Sequence, residues 1–135
     1  MSGEKSLKAL LAGLRPRLHD ETFVFCTLPG GQIGGLARAT PFATVMEAEG
    51  LTVVIPQGHA DQEGLEYQAT FRCITLEVHS SLEAVGLTAA VSGALAKASI
   101  SANMIAGTFH DHVFVPARSV EEAMTTLIAL SKAYS

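Results

Sequence analysis

Residues 86–102 read GLTAAVSGALAKASISA, and this stretch decides the fold. Within it, Leu87, Ala90, Val91, Ala94, Leu95 and Ala98 recur at i, i+3, i+4, i+7, i+8 and i+11. An apolar stripe of that period marks one side of an α-helix. Upstream, FRCITLEV at 71–78 is dense in β-branched and apolar residues and predicts a strand. Downstream, ISANMIAGTF at 100–109 predicts a second strand, HDH at 110–112 a tight turn, and VFVP at 113–116 its antiparallel partner. Ser119 with Glu122 three residues on fits a capping box, and Val120, Ala123, Met124, Leu127 and Ile128 supply the apolar side of a closing helix.

From residue 71 the order is therefore β–α–β–β–α. Strand, crossover helix and strand require a parallel, right-handed connection, and the hairpin adds an antiparallel strand. Both helices then cover one face of the sheet. A complete βαββαβ unit needs one more strand after Ser135, so the first half is expected to fill that edge.

Working back toward the amino end, Leu7, Leu10, Leu11 and Leu14 form a helical stripe that ends before Pro16. ETFVFCTL at 21–28 is a short strand, and PGGQIGG at 29–35 a loop or wide turn. FATVMEAEGLTVVIP at 42–56 predicts two strands turning near Glu49–Gly50, and PQGHADQEG at 56–64 has room for a short helix. Residues 65–70 read as a connector or weak strand. Each half thus holds a hairpin followed by a helix, and the chain divides into 1–70 and 71–135.

Composition sets the outer bounds. With 135 residues, 48% of them hydrophobic and 16% charged, the chain supports one compact domain or two small ones sharing a core. The nine basic residues are scattered and the net charge is −4, which argues against nucleic-acid binding. No run of 18 apolar residues suggests a membrane span, and MSGEKSLKALLAGL is amphipathic without a signal-peptide layout, so a cytoplasmic location is expected. Cys26 and Cys73 lie in apolar strand-like runs and read as small buried hydrophobes, not a disulfide.

Gly86, Leu87, Ala90, Val91, Leu95, Ala98 and Ile100 fit in register with the helix of ACT domains, small ligand-binding modules of amino-acid metabolism. Over nearly its whole length the chain resembles short bacterial proteins carrying two ACT-like halves in tandem. EAEGLTVVIP at 47–56, ITLEVHSSLEAVGLTAAV at 74–91 and HDHVFVP at 110–116 carry the likeness. The resemblance implies an α+β fold of two ferredoxin-like, βαββαβ-type halves, with antiparallel sheets and helices on one face. Two positions depart from the family pattern. The Asp that precedes Pro-Gly in the ACT loop is absent, Glu83 being the nearest acid and Val85 standing for the proline; and Ser99 replaces the glycine before the strand isoleucine.

The junction at 79–87 joins a strand end to a helix start, where exposed N–H groups and the helix dipole favour an anion such as a carboxylate. Gly86 permits close approach of a ligand or of neighbouring backbone. Ser80 and Ser81 either cap the helix or bind ligand polar groups. His79, Ser80, Ser81, Leu82, Glu83, Val85, Gly86 and Leu87 are therefore the candidate ligand loop. The ACT comparison adds Asn103, Met104 and Ile105, on a strand that in such modules lines a subunit interface where effectors sit; Asn103 equally suits a plain backbone bond at a strand start. His110 is the remaining candidate, through a hydrogen bond to the loop. His79, His110 and His112 could together make a metal site, but a solvated hairpin turn is favoured because no fourth ligand is evident.

No catalytic residues are assigned. PGGQIGG lacks the Lys-Ser/Thr end of a phosphate loop, and no G-x-S-x-G elbow occurs. The expected function is a non-enzymatic regulatory module for a small-molecule effector, most plainly an amino acid, with no cofactor. A homodimer and a separate target protein are expected partners. The alternative is a protein–protein interaction module without ligand.

Overall fold

The computed structural model describes residues 6–28 and 41–135. Its elements are α1 (Leu7–Ala12), β1 (Pro16–Leu28), β2 (Ala43–Glu47), β3 (Gly50–Pro56), α2 (Gln57–Gln62), β4 (Phe71–Leu76), α3 (Leu87–Lys97), β5 (Asn103–Ala106), β6 (Asp111–Pro116) and α4 (Val120–Lys132). The PGGQIGG run lies outside the described residues.

The chain forms two compact units, one of residues 1–20 with 72–135 and one of residues 21–71. This division differs from the sequence halves 1–70 and 71–135 at the amino end. The physical reason is apolar burial. Leu10, Leu11 and Leu14 of the first segment pack in the same core cluster as Ile74, Val91, Leu95, Val115 and Leu127.

In the discontinuous unit the strand order is β1-β4-β6-β5, β1 contributing its first residues. Strand β6 thus inserts between β4 and β5, although β4, α3 and β5 are consecutive in the chain. The Glu77 N–H donates to the Arg15 carbonyl (2.8 Å), and the Arg72 guanidinium donates to the His19 carbonyl (2.7 Å). The two pairs run in opposite order, so the start of β1 is antiparallel to β4. It occupies the edge where a βαββαβ unit places its closing strand. Alternation then sorts the side chains. Leu18, Ile74, Leu76, Val113 and Val115 join the helix-packed core, and Arg17, His19, Cys73, Thr75 and His112 fall on the opposite face.

Helix α3 buries Leu87, Val91 and Leu95, each worth about 1.5–3 kcal/mol when taken from water. Its end is a Schellman motif. The Ser99 N–H donates to the Ala96 carbonyl and the Ile100 N–H to that of Leu95, both at 2.9 Å. Ser99 therefore sits at φ 62, the left-handed position where the sequence departed from glycine. Strand β5 is shorter than the predicted 100–109 run. The turn is at 107–110, closed by the Gly107 N–H on the His110 carbonyl (2.9 Å), and Asp111 and His112 lie in β6 rather than in a turn. A 3-10 turn at Ala117–Ser119 precedes α4, and Ser119 makes no side-chain cap bond, so the expected capping box is not formed. Ile128 is exposed, and Leu130 packs against the core instead.

The contiguous unit has the order β2-β3-β1, with both pairs antiparallel; Cys26 stands opposite Val53, and Val45 opposite Thr52. Its core gathers Val24, Cys26, Leu28, Leu51, Val53, Ile55 and Ala60, with Leu65 and Tyr67 packed against it. The Tyr67 hydroxyl donates to Asp61 (2.7 Å) and accepts from Gln57 (3.0 Å), fastening the 63–70 connector to α2. The architecture is α+β. Among the described residues no helix is long and apolar enough to cross a membrane.

Candidate functional site

Ten residues separate β4 from α3. Ser80 is buried, and Ser81 Oγ accepts from the Glu83 N–H (3.0 Å), while the Ala84 N–H returns to the Ser81 carbonyl (2.9 Å). The cap position of α3 is Gly86, at φ 103, with no side-chain cap bond. Neither serine therefore caps the helix; Ser81 closes a local turn within the junction instead. A Cβ at Gly86 would lie 2.9 Å from Leu7 Cδ2, so the close approach that this glycine allows is made by α1. Leu87 is buried in the core, whereas Leu82 (69%) and Val85 (82%) stand exposed.

The 107–110 turn meets this junction. The His79 and Phe109 rings lie 5.7 Å apart at a 47° tilt, and Phe109 is itself 61% exposed. His110 Nδ1 is buried without a hydrogen-bond partner. Burial pushes the Asp111 carboxyl above its usual range, opposed by the charge of His110. The His79–Phe109 contact thus sets the start of the 79–87 junction against the 107–110 turn that carries His110. Asn103 starts β5 and pairs with Phe114, three residues before Ala106. It is thus roughly 10 Å along the strand from that turn. Met104 and Ile105 lie between, opposite Val113 and His112.

A second group stands on the sheet face away from the helices. His19, Cys73 and His112 offer ligand atoms within 4.8 Å of one another. Thr75 lies fully buried among them, its Oγ1 2.6 Å from His19 Nε2 and 2.9 Å from His112 Nδ1. Burial pushes the Cys73 thiol up to about 12, against smaller lowering effects of the Thr75 hydrogen bond and the Arg17 charge. Burial also lowers the His112 imidazole, helped by the charges of His19, His110 and Arg17. Arg17 itself pairs with Glu77 at 2.7 Å.

Sequence reasoning missed His19, because the helix-ending Pro16 hid the strand start behind it. The usable signal was alternation in PRLHDETF, with Leu18 inward and Arg17 and His19 outward. The histidine trio weighed from the sequence is replaced by this one: among the described residues, His19, Cys73 and His112 form the group with metal-ligand spacing.

Comparison with known proteins places these features. An ACT-domain family profile matches residues 2–72 and a second matches residues 68–129. A Vibrio cholerae protein of unknown function, described as a possible transport protein, is 46% identical with a TM-score of 0.84, covering 94% of this chain and 97% of that one. The regulatory subunit of aspartate kinase from Thermus thermophilus, in its ligand-free form, shares the fold at 10% identity and a TM-score of 0.60, over 85% of this chain and 95% of that one. E. coli aspartokinase III, in complex with aspartate and ADP, does so at 13% identity and 0.63, over 87% of this chain and 32% of that one. No curated protein matches the sequence.

Proposed function

From the premise that the chain belongs to the ACT-domain family, we propose that it is a regulatory module that binds a small-molecule effector, an amino acid, without catalysing a reaction. The family match and the aspartate-kinase regulatory subunit among its structural neighbours support a regulatory, small-molecule-binding role. The observation that carries the site is His110 Nδ1, buried without a partner in the turn whose Phe109 packs on His79. A buried polar atom left unpaired costs about 1–3 kcal/mol, and a ligand group that satisfies it recovers that cost. On this reading the effector's carboxylate meets backbone donors of the junction and its other polar groups reach His110. A ligand at a hundred times its Kd raises stability by about 2.7 kcal/mol. Thermal-shift titration of the twenty amino acids at millimolar concentration should therefore give at least one clear rise, lost in His110→Ala. No rise with any of them overturns the reading.

A second reading, an interaction module without ligand, is favoured by the exposed Leu82, Val85 and Phe109. Apolar side chains grouped at one end of a fold suit docking to another chain, either a second copy or a separate cytoplasmic target. Sedimentation of the wild type against Val85→Lys separates the two readings: a dimer dissolved by that substitution, with no amino-acid response, supports docking.

A further inference from the structure

We propose that His19, Cys73 and His112 form a binding site for a borderline-soft divalent metal ion of the Zn2+ type. Each ligand comes from a different strand, and β1, β4 and β6 are neighbours in the sheet. The Glu77–Arg15 backbone bond sets a register that brings His19 level with Cys73, and the Thr75 hydroxyl ties His112 to the same spot. The three side chains are therefore brought together by the sheet itself, not by a loop.

The donor set selects the ion. Two imidazoles and a thiol suit Zn2+ and its neighbours in the transition series, not Mg2+ or Ca2+, which take oxygen. Zinc bonds of about 2.0–2.3 Å put tetrahedral ligands roughly 3.3–3.8 Å apart. The observed spread of up to 4.8 Å closes with a side-chain adjustment of about 1 Å. The Thr75 hydroxyl lies between the two rings, 2.6 Å from His19 Nε2 and 2.9 Å from His112 Nδ1, and holds them at this spot. Three protein ligands leave a fourth position for water, and half-buried His19 and His112 give the ion a way in.

Binding is a ligand exchange without redox change. The Cys73 thiol gives up its proton to solvent and its sulfur pair to the ion, and each neutral imidazole contributes one nitrogen lone pair. The buried thiol stays protonated until an ion takes the proton's place. The bland competitor is a His–Thr–His hydrogen-bond bridge around an inert thiol, which takes no metal.

The test is titration of the chelator-stripped full chain with Co2+ as a spectroscopic stand-in. A thiolate-to-cobalt charge-transfer band that saturates at one ion per chain is expected, then bleaches on adding Zn2+. Cys73→Ser abolishes the band, His19→Gln and His112→Gln weaken affinity at least tenfold, and His59→Ala, in the other unit, leaves it unchanged. Circular dichroism checks the fold of each variant; if Cys73→Ser does not fold, the two Gln variants decide. No thiolate band in the folded wild type overturns the site, as does a folded variant that binds as tightly as the wild type. Amino-acid titration reads thermal stability through His110 and the cobalt band reads the Cys73 thiolate, so either proposal can fail alone.

Discussion

Each unit buries one free cysteine in a strand, and the two lie in opposite surroundings. Cys26 sits in the contiguous unit's apolar core with Val24, Leu51, Val53 and Ile55. Burial raises its thiol, and no polar group opposes this. Cys73 lies on the face of β4 that turns away from the helix-packed core, with His19, Thr75 and His112 around it. One side of a strand is thus ordinary core, and the other assembles chemistry. The difference follows from one alternating pattern. Ile74 and Leu76 serve the core of the discontinuous unit, which frees Cys73 and Thr75 for the far face.

The largest effect that would break this contrast is a truncation. The piece 71–135 loses Leu10, Leu11 and Leu14, three buried leucines of its core. At about 1.5–3 kcal/mol each, their burial is comparable with the whole net stability of about 5–15 kcal/mol of a small domain. Circular dichroism should show residues 71–135 unfolded alone. A cooperative melt from that piece would mean that the unit does not need its amino-terminal segment.

Next comes a matched pair of core deletions. Leu10→Ala and Val53→Ala each open a cavity in a different unit; a leucine loses about 2–5 kcal/mol in such a change, and the shorter valine less. Hydrogen exchange should show protection falling first among residues 72–135 for Leu10→Ala and among 21–71 for Val53→Ala. Equal loss across both sets would show one cooperative unit instead of two.

Gly86→Ala follows, at about 1–3 kcal/mol. It forces a side chain into φ 103 and onto Leu7 Cδ2. Pairing it with Leu7→Ala should remove the steric part and leave the backbone part in urea denaturation. Full recovery would mean that the positive φ costs nothing. The smallest effect is a gain: Ser99→Gly relieves a left-handed serine and should raise stability by about 0.5–1 kcal/mol. An unchanged midpoint would show that the Ser99 backbone carries no strain.

The legible parts of the sequence were those where packing and period agree. The α3 stripe predicted its buried face, since Leu87, Val91 and Leu95 all point to the core. The strands with dense β-branched runs were equally plain. What stayed hidden was set by distant partners. PRLHD carries a proline and three charged or titratable groups, and it is a strand because β4 lies beside it, not because of its own propensity. HDH at 110–112 resembles a turn, yet the hairpin turns at 107–110, closed by the Gly107 N–H on the His110 carbonyl, and His112 lies in β6. Ser119 and Glu122 satisfied the capping pattern, but a 3-10 turn takes over there. The candidate ligand loop was visible as a strand-to-helix junction. Its neighbour across the sheet end, the 107–110 turn, needed the fold.

The discontinuous unit has a consequence for the order in which the chain is made. A ribosome delivers residues 21–71 early and in one piece, so that unit is complete while synthesis is still under way. Residues 6–20, carrying three leucines destined for burial, are made before residues 21–71 and must wait for α4 before their core exists. Contacts that distant in sequence form slowly. Helix α1 therefore stays unsheltered while the residues between it and α4 are made, and that segment is the natural place for a chaperone to hold the chain.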